Sequence, residues 1–394
     1  MLTPSLPSES RASLDDLAQA ERALSTHAEF GDSIQIETRV LARYRFGLEV
    51  LAEYLPSLRD SVERVNDAPD EWARHFLYDP GLRLAIENAL AMLERKSLRS
   101  PDLLEAWLPA AWNAIERDPD RTYSESAFAP SGSVRVGPGK WSWVAPFDQT
   151  SDPLLQPLRR NLEAALPTTS TCLATSPWII QRLDTACSLL GAVLPQLGAS
   201  TLRHIAAISV IETKAEEGNL LSASGGDVAP STMVVSPRQL ENPWDAAGHL
   251  LHEGLHLKLF DVARSHALLR DPDERVEIPW RQVPFTLSRV VFSFHVYVHM
   301  LLFKAAVERR GARYFHIYGE PRAHDTRAQA MSVVRNDESA RFGRAIDRTR
   351  FLYERLSGPW SSHLTRDGLR LVEWLTSSVE RIEGSLRPPS GERT

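Results

Sequence analysis

The run His252-Glu253-Gly254-Leu255-His256 constrains the fold of this chain more than any other feature. Its two imidazoles are four residues apart, and positions i and i+4 of an α-helix lie one turn apart on the same face. Residues 245–263 contain no proline and are rich in leucine, which predicts a buried helix over this range. Because buried imidazoles need partners for their ring nitrogens, the run predicts a metal site on that helix.

The composition excludes several classes of protein. A hydrophobic fraction of 43% and a charged fraction of 24% are typical of a soluble globular protein. The net charge of −6 argues against nonspecific binding to nucleic acid, which needs a basic surface. The two cysteines, Cys172 and Cys187, provide neither a disulfide framework nor a cysteine-based metal cluster, and we expect them to be reduced thiols.

The distribution of apolar residues predicts a cytoplasmic protein. Residues 1–11 lack the basic and apolar segments of a signal peptide. The most apolar window, 290–303, is interrupted by His295 and His299, so it falls short of the roughly 20 apolar residues of a membrane span. We therefore expect neither a membrane nor a nucleic acid as a partner.

Changes in pattern along the chain predict four regions. Residues 1–120 carry leucines and aromatic residues at helical spacing, which predicts an N-terminal helical region. Glycine-proline turns and short β-prone runs indicate a β-prone insertion over 121–152, with a candidate lid at 131–143. Residues 153–386 should form the metal-site core with C-terminal helices, in one domain with the preceding regions or separate from them. The tail 387–394 is expected to be disordered.

Two apolar runs, 202–211 and 231–235, are predicted to be strands on either side of a glycine turn at Gly225-Gly226. They precede the histidine helix, which Asn242-Pro243 should begin. The predicted fold class is therefore α+β and predominantly α-helical, with a small β-sheet beside a buried metal-binding helix and with N- and C-terminal helical regions.

Further helix boundaries follow from prolines and periodicity. Pro56 should kink or break a helix over 34–65. Continuous helices are expected over 70–94 and 284–309, and another near 325–356.

A metal site needs a third protein ligand, and the leading candidates are His295 and His299. They are four residues apart on the helix predicted over 284–309, so they face the same way. The alternative for each is a core histidine that bonds a carbonyl group. Glutamates are the other candidate ligands, namely Glu274, Glu277 and Glu308. His249 lies on the same side of its helix as His252, where it could contact a ligand without being one.

Two further residues are candidates for chemistry. Glu253 would be the general base in a zinc peptidase, whereas in an iron oxygenase it would orient or electrostatically tune the site. Arg281 follows Trp280, and its guanidinium suits a bidentate carboxylate of a substrate or cosubstrate. The alternative for Arg281 is a structural ion pair with Asp273, Glu274 or Glu277.

Three segments together resemble a known family. They are residues 249–259, Ile278-Pro279-Trp280-Arg281 and Phe294-His295-Val296-Tyr297-Val298. Their order is similar to that in the HExxH-motif peptide-modification proteins of bacterial peptide natural-product pathways, which are described as 2-oxoglutarate-dependent peptide β-hydroxylases. The resemblance covers about 205–307.

The resemblance implies an iron(II) ion and 2-oxoglutarate as cosubstrate. The iron ligands that it implies are His252, His256 and His295. Arg281 would anchor a cosubstrate carboxylate. Where the family pattern has a second arginine followed by proline, this chain has Val283-Pro284-Phe285, and Arg289 is the alternative anchor. His299 would then lie near the metal without binding it.

Three functions remain open on the sequence. The first is an iron(II)/2-oxoglutarate-dependent hydroxylase that acts on a side-chain β-carbon of a ribosomal peptide. The second is a zinc-dependent HExxH metallopeptidase with Glu253 as general base. The third is a non-catalytic peptide-binding protein with a vestigial site.

Overall fold

The computed structural model describes residues 8–74, 79–95, 104–109, 134–135, 143–144, 156–166, 170–173, 176–213, 222–281, 283–322 and 345–386. The chain divides into two compact units. The sheet unit comprises Asp32–Leu190 and Gly198–Ser265, and the terminal unit comprises Met1–Gly31, Gly191–Leu197 and His266–Thr394. The region boundaries expected near 120 and 152 lie outside the described residues and stay predictions.

Helices dominate both units, which confirms the predominantly α-helical α+β class. The helices within the sheet unit are α2 (Ser33–Tyr54), α3 (Arg59–Asp67), α4 (Asp70–Ala73), α5 (Pro80–Glu94), α6 (104–109), α7 (Gln156–Ala165), α10 (Pro237–Leu240) and α11 (Pro243–Ser265). Helices α8 (Pro177–Val193) and α9 (Pro195–Leu202) contribute residues to both units. The helices of the terminal unit are α1 (Ser8–Thr26), α12 (Leu287–Arg310), α13 (Phe315–Tyr318), α14 (Ala345–Ser357) and α15 (Arg366–Leu386).

The sheet unit contains a small six-stranded sheet in the order β1-β2-β4-β6-β5, with β3 paired to β4. Its strands are β1 (Val134–Arg135), β2 (Trp143–Val144), β3 (Ser170–Cys172), β4 (Ala207–Thr213), β5 (Ser222–Ser224) and β6 (Thr232–Val235). Strands β2, β4 and β6 are parallel, with Ile208 opposite Met233, and the other pairs are antiparallel. The strand predicted over 231–235 is confirmed as β6. The strand predicted over 202–211 is confirmed only from Ala207, where β4 begins, because Leu202 still belongs to α9. Gly225-Gly226 follows β5, a strand that the sequence did not predict.

The helix expected over 70–94 is wrong, because the chain forms α4 and α5 instead. Asp79 has an extended backbone, and its side chain accepts a hydrogen bond from the N–H of Leu82 at 2.9 Å. Pro80 is the first residue of α5, the position at which proline costs a helix no hydrogen bond. The break expected at Pro56 is confirmed, since α2 ends at Tyr54.

Helix α12 begins at Leu287, three residues later than expected. Phe285 and Thr286 form strand β8, which pairs with β7 (Arg275–Val276). The Thr286 hydroxyl then accepts a hydrogen bond from the N–H of Arg289 at 3.3 Å and so caps the helix. Phe285 and Thr286 therefore belong to a short strand, although the apolar periodicity of the sequence predicted them to be helical.

Among the described residues, one helical stretch, Leu287–Arg313, is long and apolar enough to cross a membrane, yet 67% of its most apolar window is buried within the protein. Within the terminal unit, α12 packs against α1, α14 and α15. This is the behaviour of the core helix of a soluble protein.

Several predicted segments are described only in part. The insertion is described at β1 and β2, which pair antiparallel as a hairpin would, while the remainder of the candidate lid 131–143 lies outside the described residues. The helix expected near 325–356 is confirmed from Ala345 onward as α14, and residues 325–344 lie outside the described residues. The tail 387–394 lies outside the described residues.

Helix α11 carries the histidine run and confirms the expected helix to within two residues at each end. Pro243 is its first residue, and the side-chain oxygen of Asn242 accepts a hydrogen bond from the N–H of Trp244 at 2.8 Å. Leu251 and Leu255 are fully buried. Within the sheet unit, α11 packs against α2, α10, β5 and β6, so its sides face different parts of the core.

Gly254 lets α11 approach the end of α9 closely. A Cβ atom on Gly254 would lie 2.6 Å from Cγ2 of Thr201 and 3.1 Å from Cδ1 of Ile205. We expect Gly254→Ala to destabilise the protein by about 1–2 kcal/mol, because the overlap outweighs the gain in helix propensity. Urea denaturation measures the change.

The matched control is Gly191 in α8, where no described heavy atom lies within 4 Å of an added Cβ. Gly191→Ala should stabilise the protein by up to about 1 kcal/mol. Equal stability of the Gly254→Ala protein and the wild type would contradict the close approach.

Candidate metal centre

Helix α11 brings His252, Glu253 and His256 together. One ligand atom from each of the three side chains lies within 4.8 Å of the other two, and the imidazole centroids are 5.0 Å apart. Both imidazoles are half-buried, and Glu253 is 5% exposed. Two imidazole nitrogens and a carboxylate oxygen form a donor set that suits iron(II) or zinc. The three residues therefore fit a divalent metal ion, and the donor set does not decide which one.

Strand β5 holds the Glu253 carboxylate. The Ser222 hydroxyl donates to Oε1 of Glu253 at 2.7 Å, and the backbone N–H of Ser224 donates to the same carboxylate. Burial raises the pKa of Glu253, while His252 and these two hydrogen bonds act in the opposite direction. Two donors from one strand thus fix the orientation of the carboxylate beside the imidazoles.

His249 lies on the other side of the same hydroxyl. Its Nδ1 is 2.7 Å from the Ser222 oxygen, and its Nε2 is 2.9 Å from the side-chain oxygen of Gln239 on α10. Burial, and secondarily the charge of His252, lower the pKa of His249 to about 4, so the ring is neutral at physiological pH. His249 and Glu253 thus contact the same hydroxyl group, which agrees with the expectation that His249 contacts the site without binding the metal.

A buried ion cluster fixes α11 from its other side. Asp261 pairs with Arg83 of α5 and with Arg264 at 3.1 Å, and its second oxygen is 2.7 Å from Nδ1 of His204. Burial would raise the pKa of Asp261, but Arg83, His204 and Arg264 together hold it below its usual range. The carboxylate is therefore charged and tied to neighbours from three parts of the sheet unit.

Lys258 is fully buried on α11, and its Nζ donates to the Ser200 hydroxyl at 2.7 Å. The Ser200 oxygen is 2.7 Å from the hydroxyl of Ser33, which is 3.0 Å from Nε2 of His204. A continuous line of polar contacts thus joins Lys258 to the Asp261 cluster through α9 and α2. Burial lowers the pKa of Lys258 to about 7.

This lysine should make stability depend on pH. The unfolded chain keeps a lysine protonated up to about pH 10.4, whereas folded Lys258 releases its proton near pH 7. The unfolded state therefore binds more protons in this window, so Lys258 makes stability rise with pH by up to about 1 kcal/mol per pH unit. We expect the stability of wild type relative to Lys258→Met to increase from about pH 7 to pH 8.5 in urea titrations.

Burial also raises the pKa of the free thiol Cys187 to about 12. An unfolded thiol ionises from about pH 8.5, so Cys187 makes stability fall at higher pH, but it does so equally in both proteins and cancels in their difference. Parallel pH profiles of wild type and Lys258→Met would show that Lys258 keeps an ordinary pKa.

The predicted third ligand, His295, lies on α12 in the terminal unit, as does His299. Both are fully buried, their ring centroids are 4.4 Å apart, and Trp374 of α15 packs against both. Nδ1 of His299 is 2.7 Å from the carbonyl oxygen of His295, which is the contact expected of a core histidine. A role of either residue at the metal stays a prediction.

The two candidate anchors, Arg281 and Arg289, meet at one aromatic ring in the terminal unit. Their guanidinium carbons lie 5.1 and 4.2 Å from the centroid of Phe285. Burial, and then the like charge of Arg281, lower the pKa of Arg289. The sequence analysis treated Arg281 and Arg289 as alternative anchors for a cosubstrate carboxylate. In the structure both guanidinium groups lie at the same ring, so two positive charges are near each other.

Reasoning from the sequence did not identify the polar groups that hold α11 and its side chains in the sheet unit. These groups are Arg83, His204, Ser222, Gln239, Lys258 and Asp261. Lys258 and Asp261 were the detectable ones, because they interrupt the apolar positions of α11. Ser222 lies in a segment of small polar residues without periodicity.

Neither the scan against protein-family models nor the search of curated proteins finds a match to this chain. The site is therefore defined by its own geometry: a half-buried histidine pair and a buried glutamate on a helix of an α+β protein.

Proposed function

We propose that this protein is a cytoplasmic iron(II)/2-oxoglutarate-dependent hydroxylase that acts on a side-chain β-carbon of a ribosomal peptide. The observation that carries the proposal is the group of His252, Glu253 and His256, whose ligand atoms lie within 4.8 Å of one another. The order of this group, the Trp280-Arg281 pair and His295 along the chain supports it through the resemblance described above.

In this proposal His252 and His256 hold the metal, with His295 as the predicted third ligand. Iron held by three protein groups keeps positions open for a cosubstrate and dioxygen. Bound iron would supply the redox chemistry by which 2-oxoglutarate, dioxygen and a C–H bond become succinate, carbon dioxide and a C–OH group. The chain itself would position the peptide and keep the imidazoles neutral and oriented.

Arg281 and Arg289 support an acidic cosubstrate. The two guanidinium groups beside Phe285 repel each other. Burial is the larger cause of the lowered pKa of Arg289, and this repulsion by Arg281 is the second. A carboxylate that accepts hydrogen bonds from one or both would relieve this repulsion. The terminal carboxylate of 2-oxoglutarate has the charge and geometry for that role.

The test is reconstitution of the protein with iron(II) and 2-oxoglutarate without air, followed by exposure to air with peptides from the gene neighbourhood. Succinate formation and a mass gain of one oxygen atom in the peptide are the expected results. Iron replaced by zinc serves as the control, because zinc has no redox chemistry. Absence of succinate with every peptide would overturn the hydroxylase.

The second candidate is a zinc metallopeptidase, which the position of buried Glu253 beside the two imidazoles favours. Replacement of Glu253 by glutamine discriminates the two. A peptidase needs the carboxylate as general base and should lose nearly all turnover. In a hydroxylase this side chain would only orient or tune the site, so the variant should keep a substantial part of its turnover.

A further inference from the structure

The hydroxyl of Ser222 joins two side chains of α11 that lie one turn apart. It is 2.7 Å from both Oε1 of Glu253 and Nδ1 of His249. The hydroxyl donates its single proton to Glu253, so its lone pairs face Nδ1 of His249, and Nδ1 carries the proton of the neutral ring. Nε2 of His249 then accepts a hydrogen bond, which the Gln239 side-chain amide donates when its NH2 group is turned toward the ring. The serine thus has a fixed orientation that depends on both neighbours.

The contacts continue beyond the serine on each side. His249 reaches Gln239 of α10 at 2.9 Å, and Glu253 also accepts the backbone N–H of Ser224. Strand β5 is held in the sheet by antiparallel pairing with β6. The Glu253 carboxylate is therefore oriented by a strand and a second helix, in addition to its own helix.

We propose that Ser222 is a positioning residue of the metal centre. With the support of His249, Ser222 fixes the Glu253 carboxylate beside His252 and His256, where the metal ion would bind. The inference rests on the proposed function, since it presupposes that the centre binds a metal. Groups that orient the surroundings of a metal ligand change metal affinity by about 10–100-fold when they are removed. Ser222 would thus tune the affinity and the coordination of the ion.

The experiment is titration of the metal-free protein with Co²⁺, which reports affinity and, through its visible spectrum, coordination. Ser222→Ala should raise the dissociation constant of Co²⁺ about tenfold or more and change the spectrum of the bound ion. Ser222→Thr keeps the hydroxyl and should restore both to within about threefold of wild type. A merely structural role would not alter the spectrum.

Ser188→Ala is the matched control in the same unit. It also removes a serine hydroxyl, but from an exposed position on α8, so the Co²⁺ affinity and spectrum should stay those of wild type. Thermal unfolding of the metal-free proteins shows which variants fold. Should Ser222→Ala fail to fold, His249→Ala decides, because it removes the support of the serine and should change the spectrum in the same direction.

The possible failures are distinguishable. Wild-type affinity and spectrum in Ser222→Ala, or in His249→Ala where that variant decides, would overturn the positioning role and leave the metal centre standing. A wild-type protein that binds no Co²⁺ would overturn the metal centre, the proposed function and this inference together.

Discussion

The His252→Ala protein is expected to bind iron(II) at least about 100-fold more weakly than wild type and to form no succinate. In the proposed centre the two imidazoles chelate the metal ion, because they lie one helical turn apart with centroids 5.0 Å apart. Removal of one ring would break this chelate and leave too few ligands for a stable site. Metal content after anaerobic loading and dialysis, together with a succinate assay, measures both effects.

His316→Ala is the matched control, since it also removes one imidazole but from an exposed position on α13 in the terminal unit. It should bind iron as wild type does. Two results together would instead support the non-catalytic peptide-binding protein with a vestigial site. No metal would copurify with the wild-type protein, and the His252→Ala protein would still bind the peptide.

Features that depend on neighbouring residues were predictable from the sequence. The bounds of α11 follow from the Asn242-Pro243 start and from a leucine-rich, proline-free run, and the helix extends only two residues further at each end than expected. The mistakes also have local causes. Asp79-Pro80 begins a new helix inside a continuous pattern, and Phe285-Thr286 join a two-residue strand that periodicity cannot distinguish from a helix.

Contacts between distant parts of the chain were not predictable in this way. Ser222 and Glu253 are 31 positions apart, and Arg83 and Asp261 are 178 positions apart. Helical periodicity tells which side of α11 a residue occupies, but the residue that meets it is determined by the packing of other elements. For the same reason, the helical pattern around His295 predicts its face on α12 and leaves its role at the metal a prediction.

Asp261→Ala is expected to lower the free energy of unfolding by about 3–5 kcal/mol. The carboxylate is buried and is the shared partner of Arg83, Arg264 and His204. Its removal leaves the guanidinium of Arg83, itself only 2% exposed, without the ion pair to Asp261 in a region of low polarity. Urea denaturation followed by circular dichroism measures the loss.

The matched control for this loss is Asp227→Ala, because Asp227 also pairs with Arg264, at 3.0 Å, but its side chain is 77% exposed. Water already screens that pair, so its removal should cost no more than about 1 kcal/mol. Both variants delete one carboxylate and one contact to Arg264, and they differ in burial and in the contacts of Asp261 to Arg83 and His204. Similar losses in the two would mean that the buried cluster on α11 is solvated and does not stabilise the fold. A loss confined to Asp261→Ala would show that the charges buried on the side of α11 opposite the two histidines stabilise the helix that carries them.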